Sequence, residues 1–153
     1  MYVGFMGEHI FNRHNKTLLM YHLVFPLKYR KSVINEEIGE GLKEICFAIS
    51  ERYEVYFIEI GYESNHVHFL AQSVPSYTVS KMVRMLKSIT AKELFNRYPE
   101  IKAKLWGGKF WTSGFYANTV GQYSNESVIK EYVKNQGIEK QYKKIHTNQL
   151  KLF

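Results

Sequence analysis

Apolar and polar positions alternate in four short segments of the chain. Residues 17–25 carry large apolar side chains on both alternating faces, which predicts a strand that is covered on both sides and central in its sheet. Residues 54–61 and 66–73 alternate in the same way around a short turn at 62–65, which predicts a hairpin. A fourth strand is predicted at 115–120.

Apolar side chains recur at helical spacing in two longer segments, 35–52 and 78–97, and a last helix is predicted at 126–136. The order strand, helix, strand, strand, helix, strand predicts an α+β fold of the ferredoxin-like (RRM-like) βαββαβ type, followed by the additional C-terminal helix. In the usual strand order of this fold, the first and third strands are central.

The pattern gives one domain and two less regular ends. Residues 1–15 have no clear period and are interpreted as an N-terminal leader, residues 16–137 as the domain, and residues 138–153 as a basic tail. The longest apolar run, residues 18–27, is too short to span a bilayer, and the start lacks the features of a signal peptide. With one cysteine, Cys46, the chain is expected to be cytoplasmic and without a membrane partner.

Charge is unevenly placed along the chain. Residues 1–77 hold 7 Lys and Arg against 9 Glu, whereas residues 78–153 hold 14 against 5. A basic half with interleaved aromatic residues indicates a polyanionic partner. The chain contains no aspartate, which argues against Asp-based two-metal nucleases and Ser-His-Asp triads.

Two histidines, His66 and His68, stand one residue apart in the predicted third strand. Residues i and i+2 of a strand share a face, so both imidazoles point the same way from a rigid backbone, which is half of a metal site. The same pattern also fits two histidines on the solvated face of an edge strand.

The predicted last helix supplies a possible third ligand. Tyr132 and Gln136 are spaced i and i+4 and lie on one helix face. The amide oxygen of Gln136, together with His66 and His68, would leave positions open on Mg²⁺ or Mn²⁺ for phosphate oxygens. On spacing alone, Tyr132 does not stand out from the other tyrosines of the chain.

Several short stretches, in order along the chain, resemble the motifs of a known protein family. The sequence resembles the single-tyrosine HUH transposases of small insertion sequences, named for their His-hydrophobic-His motif, over roughly residues 14–137. The matching blocks are Tyr21-His22-Leu23-Val24-Phe25, Lys28-Tyr29-Arg30, Asn65-His66-Val67-His68, Lys87-Ser88-Ile89-Thr90-Ala91-Lys92, Phe110-Trp111-Thr112-Ser113-Gly114-Phe115-Tyr116, Thr119-Val120-Gly121 and Tyr132-Val133-Lys134-Asn135-Gln136.

This resemblance implies a mechanism and its residues. His66, His68 and Gln136 would be the metal ligands, and Tyr132 the nucleophile that cleaves single-stranded DNA, forming a 5′-phosphotyrosine and a free 3′-hydroxyl. It also implies recognition of DNA hairpins near the element ends. Members of the family are homodimers, and the tyrosine helix can be donated to the partner's histidine site. Gly121 and Gly137, which flank this helix, could then act as hinges or simply as capping residues.

Basic and aromatic side chains are candidates for contacts with DNA. Any single one of the basic residues could equally be a solvated surface cation, and an aromatic residue in this region could pack in the core. The candidates are Lys28, Arg30, Arg84, Lys87 and Lys92 for phosphates, and Trp111 for stacking on an unpaired base.

Three other interpretations remain open. The chain could be a domesticated relative that processes chromosomal hairpins, or a non-catalytic module that binds single-stranded nucleic acid. It could also be a His-ligated metallohydrolase in which water attacks and Glu59 or Glu63 serves as the base.

Overall fold

The computed structural model describes residues 7–105 and 107–121. Its elements, in chain order, are β1 (Ile10–Phe11), β2 (Lys16–Thr17), β3 (Leu19–Pro26), a 3₁₀ turn (Lys28–Arg30), α1 (Glu36–Arg52), β4 (Tyr56–Glu63), β5 (His66–Ser73), α2 (Val79–Arg97), α3 (Ile101–Lys104) and β6 (Tyr116–Val120).

A four-stranded antiparallel sheet in the order β4-β5-β3-β6 forms the centre of the fold. The first long strand, β3, and the histidine-bearing strand, β5, are the two central strands. They pair along their whole lengths, from Leu19 opposite Ser73 to Pro26 opposite His66. The predicted α+β fold and the central positions of these strands are thus confirmed.

Side-chain caps explain where the two long helices begin. The Asn35 side chain accepts a hydrogen bond from the Ile38 amide at 2.9 Å, and Thr78 accepts one from the Lys81 amide at 3.1 Å. Both predicted helices are confirmed. The predicted turn at 62–65 is too long, because the β4–β5 ladder continues to the pair Glu63 and His66.

The two faces of the sheet differ in what they pack against. On one face, side chains such as Leu23, Phe25 and Phe69 form the main core with α1 and α2. Cys46 is buried in this core, where burial raises the pKa of its thiol, in agreement with a packing role. The opposite face has a smaller apolar cluster of Met20, Ile58 and Leu70.

The described part of the segment interpreted as a leader, residues 7–15, forms contacts with the rest of the fold. Ile10 pairs with Thr17 across a short ladder and is 6% exposed. The side chain of Gln72 donates a hydrogen bond at 2.7 Å to the backbone oxygen of Glu8, which ties this segment to β5. Strands of two residues are too short to show a period, so the pattern could not predict them.

Several predictions fall outside the described residues: the last helix at 126–136 with Tyr132 and Gln136, Gly137, the tail at 138–153 and the first six residues. Within the part that is described, no helix has the length and apolar character needed to cross a membrane.

Candidate functional site

The register of the sheet places the two motif histidines on the face opposite to α1 and α2. Antiparallel partners share a face, and His68 lies opposite Val24 of β3, while His22 lies opposite Leu70 of β5. On the other side of β3, His22 pairs with Asn118 of β6. His66 and His68 thus share one face of the sheet with His22 and Asn118.

His66 and His68 are close together and buried. Their ring centroids are 6.2 Å apart with the planes inclined by 31°, and the residues are only 2% and 3% exposed. Burial is the main cause that lowers the pKa of His66 to about 3 and that of His68 to about 4. Both rings are therefore neutral at physiological pH, which is the form that binds metal ions.

Asn65 orients the first of these rings. The Nδ1 of His66 lies 3.0 Å from the Asn65 Oδ1, and since the amide oxygen accepts, the proton is on Nδ1 and the lone pair on Nε2. The backbone oxygen of Asn65 accepts a hydrogen bond at 2.9 Å from the Leu27 amide, which anchors the start of β5 to the end of β3. Polar partners of this kind fix the tautomer of metal-binding histidines.

The second ring is held by close packing against β4. The imidazole of His68 lies over Gly61, its cross-strand partner, where a Cβ would collide with ring atoms. Its Nδ1 is buried and has no hydrogen-bond partner within the described part of the chain. A buried ring nitrogen without a partner is costly unless an ion or water satisfies it, so this position suits a metal ligand.

A third histidine, His22, is part of the same face, and sequence reasoning missed it as a site residue. It is fully buried, and its Nδ1 lies 3.2 Å from the Asn118 Oδ1. Burial lowers its pKa to about 4, and its charge would in turn disfavour protonation of His68. The signal in the sequence was a lone histidine inside an otherwise apolar strand.

The described residues contain no group of three His, Cys, Asp or Glu side chains placed to hold a metal ion. They therefore supply two imidazole ligands, and a complete site needs a further ligand of another type or from another part of the chain. The roles of Gln136 and Tyr132 stay predictions, because both residues lie outside the described part.

The predicted phosphate contacts fall into two groups. Lys28 and Arg30 belong to the turn that follows β3, close to His66, and the charge of Arg30 contributes to the lowered pKa of that histidine. Arg84 and Lys92 are exposed on α2, on the other side of the sheet. There, Lys92 lines a cleft of about 450 Å³ between α1 and α2.

Lys87, also predicted to contact phosphate, is engaged inside the molecule. Its ammonium group donates hydrogen bonds to the backbone oxygens of Thr112 at 2.8 Å and Gly114 at 2.7 Å. It also lies 5.4 Å and 5.6 Å from the ring centroids of Phe25 and Phe115. The side chain thus fastens α2 to the segment before β6, and its contact with DNA stays a prediction.

The expectation that Trp111 stacks on a base is corrected by its burial. Trp111 is 5% exposed, and its Nε1 donates a hydrogen bond at 2.9 Å to the Thr90 Oγ1. Its ring packs edge-on against Phe25 and Phe110, at centroid distances of 5.6 Å and 4.6 Å. The indole is a core side chain and presents no face to a ligand.

Comparisons with known proteins identify the class of protein to which this fold and histidine pair belong. Residues 15–136 match the family model described as "Transposase IS200 like". The chain is therefore a transposase by family. It belongs to the IS200-like transposases.

Curated relatives agree with this assignment. The ISDra2 transposase TnpA of Deinococcus radiodurans is 33% identical over 118 residues, which are 77% of this chain and 84% of the relative. The transposase for insertion sequence element IS200 of Salmonella typhimurium is 29% identical over 131 residues, covering 86% of this chain and 85% of the relative.

Solved structures share the fold. A crystal structure of a protein from Deinococcus radiodurans R1, assigned as a transposase, superposes with a TM-score of 0.68 at 28% identity and covers 83% of this chain and 97% of its own. A REP-associated tyrosine transposase bound to a REP hairpin gives a TM-score of 0.56 at 10% identity, covering 86% of this chain and 73% of its own.

Proposed function

We propose that this chain cleaves and rejoins single-stranded DNA at the ends of an insertion sequence, with a divalent metal ion and a tyrosine nucleophile. The observation that carries the proposal is the pair of buried, neutral imidazoles of His66 and His68 on the central strand β5. A rigid pair of neutral nitrogen ligands is half of a metal site. Membership of the transposase family supports DNA as the substrate that this site acts on.

His66, His68 and Gln136 would hold the ion, with His66 presenting the Nε2 that its contact with Asn65 leaves unprotonated. Bound there, Mg²⁺ or Mn²⁺ would polarise the phosphodiester and offset the charge that develops during phosphoryl transfer. The burial of both histidines keeps water away from their rings, which favours coordination to an ion over hydration.

Tyr132 is the proposed nucleophile. Its phenol loses a proton, and its oxygen forms a bond to the phosphorus while the bond from phosphorus to the 3′ oxygen breaks. The leaving 3′ oxygen takes up a proton, so the products are a 5′-phosphotyrosine and a free 3′-hydroxyl. The 3′-hydroxyl of a second strand then attacks the phosphotyrosine and returns Tyr132 to its starting form, with no net consumption of water or nucleotide.

Recognition of hairpin DNA by a homodimer is part of the same proposal. The support is the shared fold with a transposase that binds a REP hairpin, and the excess of basic residues in the second half of this chain. Cations occur on both sides of the sheet, with the half-buried Arg30 near His66 and the exposed Arg84 and Lys92 on α2.

The test uses a labelled single-stranded oligonucleotide that carries the hairpin and junction from the flank of the gene. Wild type, Tyr132→Phe and the matched control Tyr123→Phe are incubated with Mn²⁺ or Mg²⁺ and run on a denaturing gel. A covalent protein–DNA adduct is expected for wild type and Tyr123→Phe, and it should be lost in Tyr132→Phe and in EDTA.

Two other results would contradict the proposal, each in its own way. Cleavage without an adduct, retained in Tyr132→Phe, would indicate a metallohydrolase. Binding of the hairpin without an adduct or cleavage would indicate a module that binds nucleic acid without catalysis.

A further inference from the structure

The turn after β3 has an unusual backbone. Tyr29 has φ 58° and ψ 13°, and the next residue, Arg30, has φ 53°. These are left-handed conformations that L-residues with a side chain rarely adopt, and here two follow each other without a glycine. No other non-glycine residue in the described part of the chain has a positive φ.

Three backbone hydrogen bonds hold this conformation in place. The Leu27 amide donates to the Asn65 oxygen at 2.9 Å, the Lys28 amide to the Phe110 oxygen at 2.8 Å, and the Arg30 amide to the Leu27 oxygen at 2.9 Å. The turn is thus fixed to the start of β5 and to the segment before β6. Backbone strain that persists in such a fixed segment is typical of functional sites.

The turn exposes an aromatic ring beside the histidine face. Tyr29 is 57% exposed, and the Lys28 Nζ lies 5.3 Å from its ring centroid. Its neighbours in sequence are the cations Lys28 and Arg30. The strand that precedes the turn ends at Pro26, directly opposite His66, so the turn begins beside the proposed metal site.

An exposed ring between two cations indicates the chemistry of its ligand. Burial against an apolar protein partner would remove water from both cations without giving them a counter-charge, which is costly in free energy. Single-stranded DNA offers phosphates for the cations and a flat base for the ring. Proteins bind unpaired bases by stacking them on aromatic side chains within basic surfaces.

We propose that Tyr29 is a stacking platform for one unpaired base of the single-stranded DNA that crosses the histidine face, with Lys28 and Arg30 beside it at the phosphates. The left-handed backbone turns the ring outward, and the anchored turn holds it in position before DNA binds. The proposal rests on the proposed function, because it assigns a base-binding subsite to the same DNA.

Replacement by glycine separates this role from a structural one. Tyr29→Gly removes the ring and also relieves the left-handed strain, so its thermal midpoint should equal or exceed that of wild type. Tyr29→Phe keeps a stacking ring. Tyr53→Ala is the matched control, since Tyr53 is an exposed tyrosine at the end of α1, outside the turn.

Binding is measured by fluorescence anisotropy with the hairpin-and-junction oligonucleotide in EDTA, so that no cleavage is needed. Tyr29→Gly should bind about tenfold more weakly, as expected for loss of one stacked base, and Tyr29→Phe and Tyr53→Ala should bind like wild type. Single abasic positions are then placed along the flank. One of them should weaken wild type about tenfold and leave Tyr29→Gly unchanged.

The outcomes distinguish this inference from the function on which it rests. Equal binding by wild type and Tyr29→Gly would overturn the stacking role alone, as would an abasic series that weakens both proteins in parallel. Failure of wild type to bind any single-stranded or hairpin DNA would overturn the DNA-processing function and the stacking role together.

Discussion

The imidazole of His68 lies over the backbone of Gly61, its partner on the neighbouring strand β4. A Cβ at position 61 would meet three atoms of this ring, Cε1, Nε2 and Nδ1. The orientation of a proposed metal ligand thus depends on the absence of a side chain on the adjacent strand. Gly61 has a negative φ, so glycine is required here because the His68 ring occupies the space of a side chain, and not because of the backbone conformation.

The first prediction follows from this contact. Gly61→Ala should displace the His68 ring and lower the affinity for Mn²⁺ by at least about tenfold, as changes that reorient metal ligands do. Isothermal titration of the folded protein with Mn²⁺ measures the effect. Unchanged affinity would mean that His68 can bind in another orientation or is not a ligand.

A matched control exists on the other side of the sheet. A Cβ at Gly39 of α1 would likewise meet an aromatic ring, that of Tyr62. Gly39→Ala should therefore disturb the packing of α1 on the sheet and lower stability, while the Mn²⁺ affinity of the folded protein stays like that of wild type.

The second prediction concerns the amide that orients His66. Asn65→Leu removes the oxygen that accepts from Nδ1, and the Mn²⁺ affinity should fall about 10- to 100-fold. Asn65→Asp keeps an acceptor at this position and should retain metal binding. ¹⁵N chemical shifts of the imidazole report the tautomer directly, and a His66 that stays protonated at Nδ1 in Asn65→Leu would contradict the assigned role.

The third prediction tests the buried position of Trp111. Thr90→Val removes the oxygen that accepts from the indole, leaving a buried donor unpaired, so the free energy of unfolding should fall by about 1–3 kcal/mol. Urea denaturation measures the loss. The control Thr119→Val changes an exposed threonine of β6 and should alter stability by less than about 0.5 kcal/mol. Equal stabilities of the two variants would contradict the role of the Thr90–Trp111 hydrogen bond.

The fourth prediction separates two lysines of α2 that the sequence presents alike. Lys87→Met loses hydrogen bonds to two backbone oxygens and should lower stability, whereas Lys92→Met, at an exposed position, should not. If Lys92 contacts phosphate, its removal should lower the salt dependence of DNA binding by about one released ion. Denaturation curves and binding at several salt concentrations give both quantities, and a stable Lys87→Met variant would contradict the internal role.

The fold was predictable where a long pattern and local signals agree. Residues 66–73 were predicted as a strand with the bounds that the structure has. A short apolar run between a turn and a proline is typical of a buried strand and is too short for a long helix. The two long helices followed from apolar side chains at helical spacing, and the structure adds that Asn35 and Thr78 cap their first turns. Strand order followed from the βαββαβ plan.

The site was less predictable, because sequence does not say which side chains the fold turns inward. Lys87, Lys92 and Trp111 all suggested DNA contacts, but only Lys92 is exposed. His22 meets Asn118 through a pairing of strands that are 96 residues apart in sequence, which no local pattern indicates. The left-handed turn at Tyr29 is held by hydrogen bonds to two distant segments, at Asn65 and Phe110, and could not be inferred from the local sequence.

The fifth prediction concerns acid stability of the metal-free protein. Burial lowers the pKa of His22 to about 4, while the same histidine in the unfolded chain has a pKa of about 6.5. Between these pH values the unfolded state binds a proton that the folded state does not, so stability falls as the pH drops from about 6.5 to about 4. Each histidine of this kind contributes a slope of up to about 1.4 kcal/mol per pH unit, and His66 and His68 add to it.

Urea denaturation in EDTA at several pH values measures this slope. In His22→Gln the slope should be smaller by the contribution of one proton, up to about 1.4 kcal/mol per pH unit. A slope that is the same in His22→Gln and wild type would show that His22 does not titrate differently in the folded and unfolded states.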